Sequence, residues 1–343
     1  LNIIDTAGIR STEDVVEKIG VEKAKKYAAD ADLIIYVVDS SVDLDESDEE
    51  IIELIKDKNA IVLLNKTDLD AVITEEILLE KLSDFGAQVV LQQGNMINYA
   101  GESQDVFNVI GKFGQSKQNG TILLCAHYDT RPWSDEEEEY EERFTPILGA
   151  NDGASGVGVL LEIARQIGAM YADTTKQTYL PAIEIVFFDC EDMGTPEFYT
   201  GIPREDTWCL GSQMWANEIA KQQTASLYQF GILLDMVGDP NAVFPKEFYS
   251  TQYAQDYVAK VWKKASNLGY GRYFIQQDAY PITDDHYYVN ILAGIPCLDI
   301  VHYDARTNTG FASWWHTTQD NMQNISTATL QAVGEVVMAC LLD

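Results

Sequence analysis

The stretch "ILGANDGASGVGVLLEIAR", Ile147 to Arg165, sets one aspartate, Asp152, among Gly149, Gly153 and Gly156 at the mouth of a long apolar segment. Glycine tolerates positive φ and lets a ligand approach closely, so this turn reads as shaped around something that the Asp152 carboxylate holds. A metal ion is the candidate. The apolar residues after it predict a helix over 156–168. Apolar runs at 107–110, 121–126, 183–188, 230–236 and 296–301 predict strands, and 211–222, 252–267 and 327–341 predict helices. "ILLEKLSDFGAQVVLQQ", starting at Ile77, reads as helix, Gly86 cap, then strand. The alternation is that of an α/β fold with a largely parallel central sheet.

The chain has 343 residues, 46% of them hydrophobic, which is enough for a full core and allows two domains. A formal net charge of -32, with no offsetting basic stripe, argues against nucleic acid and anionic lipid as partners. No uninterrupted apolar run of membrane-spanning length and no signal peptide is legible. The five cysteines lack C-x-x-C spacing and read as buried thiols. The acidic run "SDEEEEYEE", Ser134 to Glu142, reads as a solvated loop.

In open α/β sheets ligands gather at the carboxyl ends of strands, and polar residues fall there repeatedly. "TILLCA" is followed by His127, Tyr128 and Asp129; "IEIVFF" by Asp189, Glu191 and Asp192; "GILLD" ends in Asp235; His316 follows the last strand in "WWHT". Any one such residue is more often structural than functional, but four strand ends and a glycine turn together supply the oxygen and nitrogen ligands of a catalytic zinc. Glu191, directly before a candidate ligand, reads as a base that is not itself bound to the metal.

"CAHYDTRPW", "GANDGASGVGVLLEIAR", "FFDCEDMG", "LLDMVGD", "DDH" and "WWHTTQDN", in this order, resemble peptidase family M28, and within it the glutaminyl-peptide cyclotransferase branch. The resemblance runs from about residue 76 to the C-terminus. It implies a three-layer α/β sandwich with a central, mostly parallel mixed sheet, and one zinc ion held by Asp152, Asp192 and His316. Some members carry glutamate where Asp192 stands; the shorter carboxylate still suits zinc. By the same residue matching, Glu191 is implied as the proton shuttle, with Asp235 and Asp284 as a supporting acidic network. Asp284 is preferred to Asp285 because peptidase relatives also carry an aspartate directly before the histidine. Trp315, and more weakly Trp208, is implied to line the substrate pocket, while Trp314 reads as core packing. The implied reaction is cyclisation of an N-terminal glutamine of a peptide or protein to pyroglutamate with release of ammonia. The alternative is a two-zinc aminopeptidase, in which His127 and Asp235 bind a second metal bridged by Asp152. Relatives of this kind imply a periplasmic or secreted setting.

The first part of the chain reads differently. Strands are predicted at 2–5, 33–38 and 61–64, with helices over 13–29 and 47–57. "DTAG", Asp5 to Gly8, and "NKTD", Asn65 to Asp68, resemble the third and fourth nucleotide motifs of a tRNA-modification GTPase. The resemblance implies Asp5 near magnesium, Gly8 near the γ-phosphate, and Asn65 and Asp68 on guanine. The phosphate-cradling G-x-x-x-x-G-K-[ST] loop is absent from the sequence. Without its backbone N–H groups and lysine, triphosphate binding loses its main electrostatic support, so a GTP-binding module is the remote reading. Residues 1–75 are accordingly expected to be a truncated GTPase-like β/α segment, and 76–343 the catalytic domain. No Pro/Gly/Ser linker separates them, which reads as a chimeric or mis-assembled chain.

Overall fold

The computed structural model describes residues 34–39, 60–65, 75–114, 120–173 and 180–342. The chain divides into two units, Leu1–Val72 and Ile73–Asp343. In the first, strands β1 (Ile34–Asp39) and β2 (Ala60–Asn65) pair in parallel. The other elements expected there, and Asp5, Gly8 and Asp68, lie outside the described residues.

The second unit begins with helix α1 (Glu75–Asp84), turns at Gly86 (φ 88°), and enters a long hairpin of β3 (Gln88–Ile97) and β4 (Ser103–Phe113). Then follow β5 (Thr121–His127), α2 (Ala154–Ala172), β6 (Ala182–Phe188), α3 (Leu210–Gln222) and β7 (Tyr228–Asp235). After them come β8 (Phe244–Lys246), α4 (Phe248–Asn267), β9 (Phe274–Asp278), the short α5 (Asp285–Tyr288), β10 (Cys297–Val301) and α6 (Thr327–Leu341). Six strands form one sheet in the order β10-β7-β5-β6-β4-β3. The β10, β7, β5 and β6 strands are mutually parallel, whereas β4 joins β6, and β3 joins β4, antiparallel. The sheet is therefore mixed and mostly parallel. The run at 107–110 is the middle of a longer hairpin strand, and the two-stranded sheet of β8 and β9 carried no periodicity strong enough to read.

Parallel strands covered on both faces read as continuous apolar runs, and every residue of β5 and β6 is buried. On one face Leu123, Cys125, Val186, Phe188 and Leu233 pack with Trp215, Ala216 and Ile219 of α3. Helix α2 lies against β5 and β7 and is flanked by α6. Gly156 makes that approach possible: a Cβ there would lie 2.3 Å from the Leu234 carbonyl oxygen. Glu184, a charge inside β6, is buried beside Lys112 Nζ at 3.1 Å and accepts from Tyr228 Oη at 2.9 Å. Among the described residues no helix is long and apolar enough to cross a membrane.

Glu247 caps α4 and also ties it to α5. Its carboxylate is fully buried and accepts from the backbone N–H groups of Tyr249 (2.8 Å), Ser250 (2.6 Å) and Ile282 (3.0 Å), with His286 Nε2 at 3.0 Å. Burial pushes this carboxyl up, but the hydrogen bond and charge of His286 and the two cap N–H groups outweigh it and hold it below the usual glutamate range. A lowered folded-state pKa adds stability above the ordinary value of about 4.3, and that stability is lost as pH falls through the lower folded value. Glu247→Ala is expected to destabilise the unit by about 3–5 kcal/mol at neutral pH, as for a broken buried pair. Urea denaturation measures this, and the gap from wild type should narrow below about pH 4. An unshifted midpoint at neutral pH would show that the cap contributes nothing.

Candidate active site

The carboxyl ends of β5, β6 and β7 and the turn before α2 converge on one buried cluster. Asp152 stands directly before Gly153, which has φ 90° and would place a Cβ 2.9 Å from the Asp129 carbonyl oxygen and 3.0 Å from the His127 ring. Only glycine lets the chain pass so close to His127 and enter α2. The turn is held from beneath by Asp320, whose two carboxylate oxygens accept from Asn151 N–H (2.8 Å) and Asp152 N–H (3.0 Å). Burial, and then the charge of Asp152, push the Asp320 carboxyl up to about 7.

Asp152 lies between two histidines. Its Oδ1 is 3.1 Å from His127 Nε2 and its Oδ2 is 3.4 Å from His316 Nε2. His316 Nε2 is also 3.1 Å from Asp192 Oδ1, and His127 Nε2 is 3.2 Å from Asp235 Oδ1. Two sets of three donors result, Asp152–Asp192–His316 and His127–Asp152–Asp235, each with its donor atoms within 4.8 Å of one another. In the first set Asp152 Oδ2 and Asp192 Oδ2 are buried without a hydrogen-bond partner. Unpaired buried carboxylate oxygens facing an imidazole nitrogen fit a cation, and the mixed oxygen and nitrogen donor set fits zinc chemistry. The protonation balance points the same way: burial pushes His316 down, yet the charges and hydrogen bonds of Asp192 and Asp152 raise it to about 9. Burial pushes Asp152 up, yet both histidines hold it well below the carboxylate range. The site is built around a deficit of positive charge.

The backbone behind the ligands is fixed by a residue whose role the sequence did not reveal. Asp129 accepts from Glu191 N–H and Asp192 N–H, each at 3.0 Å, which aims two consecutive side chains into the site. Arg131 is buried, donates from Nη1 to the Asp192 carbonyl oxygen at 2.8 Å, and forks onto Asp135, with Nε donating at 2.7 Å. Asp135 Oδ1 lies 3.7 Å from His316 Nδ1. The "SDEEEEYEE" run is thus only partly a solvated loop: Ser134 and Asp135 are buried, Glu136 N–H donates to the His316 carbonyl oxygen (3.3 Å), and Glu137 accepts from the Thr318 N–H and hydroxyl. The i,i+4 spacing of Arg131 and Asp135 was the available signal.

Glu191 is partly exposed and belongs to neither donor set. Its carboxylate, that of Asp284 and the thiol of Cys209 lie within 4.8 Å of one another. Burial, opposed by His127 and reinforced by Asp192, Asp284 and Asp285, raises the Glu191 carboxyl well above its usual range. Asp235 is pushed up to about 7 by burial, against the His127 hydrogen bond. Asp284 and Asp285 are both buried and both raised, first by burial; Asp284 caps α5. Aromatic rings flank the cluster. Trp315 stacks on His316 with ring centroids 3.6 Å apart, and Trp208 lies parallel to the same ring at 6.4 Å. Arg131 sits over Trp208 at 4.7 Å. Trp314, expected in the core, is only half-buried. All five cysteines are buried and free of disulfides.

With this geometry in view, comparison with known proteins identifies the class. Residues 108–341 match the model of peptidase family M28, and the chain belongs to that family. Among solved structures it is similar to a Zn-dependent exopeptidase from Parabacteroides distasonis, at 44% identity and TM-score 0.72, covering 78% of this chain and 88% of that one. It is equally similar to the Bacteroides thetaiotaomicron glutaminyl cyclase bound to N-acetylhistamine, at 45% identity and TM-score 0.71, covering 78% of this chain and 88% of that one. Residues 1–66 match a second family model, the 50S ribosome-binding GTPase. Over 76 residues, 22% of this chain, the sequence is 66% identical to the tRNA modification GTPase MnmE of Lachnoclostridium phytofermentans, and the match spans only 17% of that protein's length.

Proposed function

We propose that this chain is a zinc-dependent glutaminyl-peptide cyclotransferase. The observation that carries the reading is the position of Glu191: a carboxylate outside the ligand set, backed by the acidic Asp284, beside the Asp152–Asp192–His316 cluster. The similarity to solved glutaminyl cyclases supports it.

Asp152, Asp192 and His316 would hold the zinc, which when bound supplies Lewis acidity toward the γ-carboxamide carbonyl of the substrate. The chain's own residues do the rest. Trp315 and Trp208, both near-parallel to the His316 ring, offer flat apolar surfaces, which favour an N-terminal glutamine folded back on itself. The α-amine nitrogen then bonds to the side-chain carboxamide carbon, Cδ, and the bond from that carbon to the amide nitrogen breaks. Glu191 accepts a proton from the attacking amine and delivers it to the leaving nitrogen, which departs as ammonia. Asp284, and Asp235 through His127, hold the surrounding charges in place.

A two-zinc aminopeptidase is the second reading, favoured by the intact His127–Asp152–Asp235 set and by the similarity to a Zn-dependent exopeptidase. Metal analysis of the zinc-saturated, dialysed chain separates the two, with about one ion per chain expected for the cyclase and about two for the peptidase. His127→Ala is expected to keep the single ion; a drop from two to one favours the peptidase. Peptide or protein N-termini are the partners under either reading, and a periplasmic or secreted setting remains part of the proposal. Residues 1–75 are proposed to add no nucleotide chemistry.

A further inference from the structure

We propose that Cys209 is a positioning residue for Glu191: its thiol donates a hydrogen bond to the Glu191 carboxylate and fixes the direction in which that carboxylate faces the Asp152–Asp192–His316 cluster. The inference rests on the proposed function, in which Glu191 carries the proton.

Three independent features of Cys209 converge. Its Sγ is 3.1 Å from Glu191 Oε1, closer than the thiols of Cys125, Cys190 and Cys297 come to the backbone carbonyls they meet, at 3.7, 3.7 and 3.8 Å. Its backbone is left-handed, with φ 55° and ψ 40°, a conformation that favours glycine and strains any residue bearing a Cβ. It also stands at the N-cap of α3, where a polar side chain normally turns back to cap the helix, yet it makes no capping bond. The side chain at this strained position is spent on Glu191 alone.

The two residues are also tied through their backbones. Cys209 N–H donates to the Glu191 carbonyl oxygen at 2.9 Å, Leu210 N–H to Cys190 at 3.0 Å, and Gly211 N–H to Asp189 at 2.9 Å. Thiol and carboxylate therefore spring from two paired segments and cannot drift apart independently. Glu191 needs such a lateral restraint because a glutamate side chain has three rotatable bonds with which to swing toward or away from the metal position. A weak S–H donor orients the carboxylate without supplying a competing charge.

The test compares Cys209→Gly, which relieves the left-handed backbone but removes the donor, with Cys209→Ser, which keeps one. In the zinc-loaded full chain, Cys209→Gly is expected to lower kcat roughly 10-fold with KM within about twofold of wild type, as for a misaligned catalytic group. Cys209→Ser should recover most of that loss. In a Glu191→Gln background, Cys209→Gly should change the residual turnover by less than about twofold, since the thiol acts only through that carboxylate. Should the glycine variant not fold, Cys209→Ala against Cys209→Ser makes the same comparison. Unchanged kcat without the thiol, or the same loss in both backgrounds, overturns the inference. A wild-type chain that does not cyclise N-terminal glutamine overturns the proposed function and this inference with it.

Discussion

Glu191→Gln is expected to cut conversion of N-terminal glutamine by about 10²- to 10⁴-fold, the usual contribution of a positioned proton carrier, while zinc content and peptide binding survive. The substitution keeps the size of the side chain, and an amide oxygen can still accept from Cys209. What disappears is the ability to take up a proton and release it. Glu191 suits that task because it sits beside the ligand cluster without belonging to it, and because burial and its acidic neighbours raise its proton affinity. Steady-state kinetics with parallel metal analysis decide the matter. Full turnover would move the proton transfer to another residue, and loss of zinc would make Glu191 a ligand and exchange its role with that of Asp192.

Replacing the ligands acts earlier, on the metal itself. Asp152→Ala is expected to abolish turnover and to reduce zinc affinity by at least about 100-fold, beyond the effect of disturbing an outer-shell partner. Asp152 should be the most sensitive of the three positions. Its carboxylate meets both His127 and His316, so its removal leaves two buried imidazoles without their shared partner. Asp192→Ala and His316→Ala each remove one donor from the same set and should lose zinc as well. Metal content after dialysis, with circular dichroism to confirm the fold, reads all three; a variant that retains full zinc does not carry a ligand at that position.

Much of this site was legible because its residues lie at the ends of strongly apolar strands. The runs ending in His127, Asp189 and Asp235 could scarcely be anything but buried strands, and a polar residue closing such a run stands at the carboxyl end of the sheet, where ligands collect. Gly153 and Gly156 were readable for a related reason: each marks a close approach that a side chain would block. What escaped notice depends on contacts between distant segments. Asp129 looked like another strand-end carboxylate, but its two oxygens serve the backbone of Glu191 and Asp192, more than sixty positions later. Asp135 was hidden inside an acidic run whose composition pointed to solvent, although Arg131 draws it beneath His316. Trp208, which the family resemblance alone pointed to, sits after a stretch of exposed loop, and no local pattern tied it to the His316 ring. Cys209 shows no sequence signal at all, since its contact with Glu191 requires a left-handed backbone at a residue other than glycine.

The most direct test of the account is mass spectrometry of a peptide with N-terminal glutamine after incubation with the zinc-loaded chain, beside a matched peptide with N-terminal leucine. The glutamine peptide is expected to lose the mass of one ammonia, retain all its residues and become resistant to N-terminal sequencing, and the leucine peptide to stay unchanged. Release of free leucine or free glutamine, with the shortened peptide as the other product, would contradict it and establish the aminopeptidase instead.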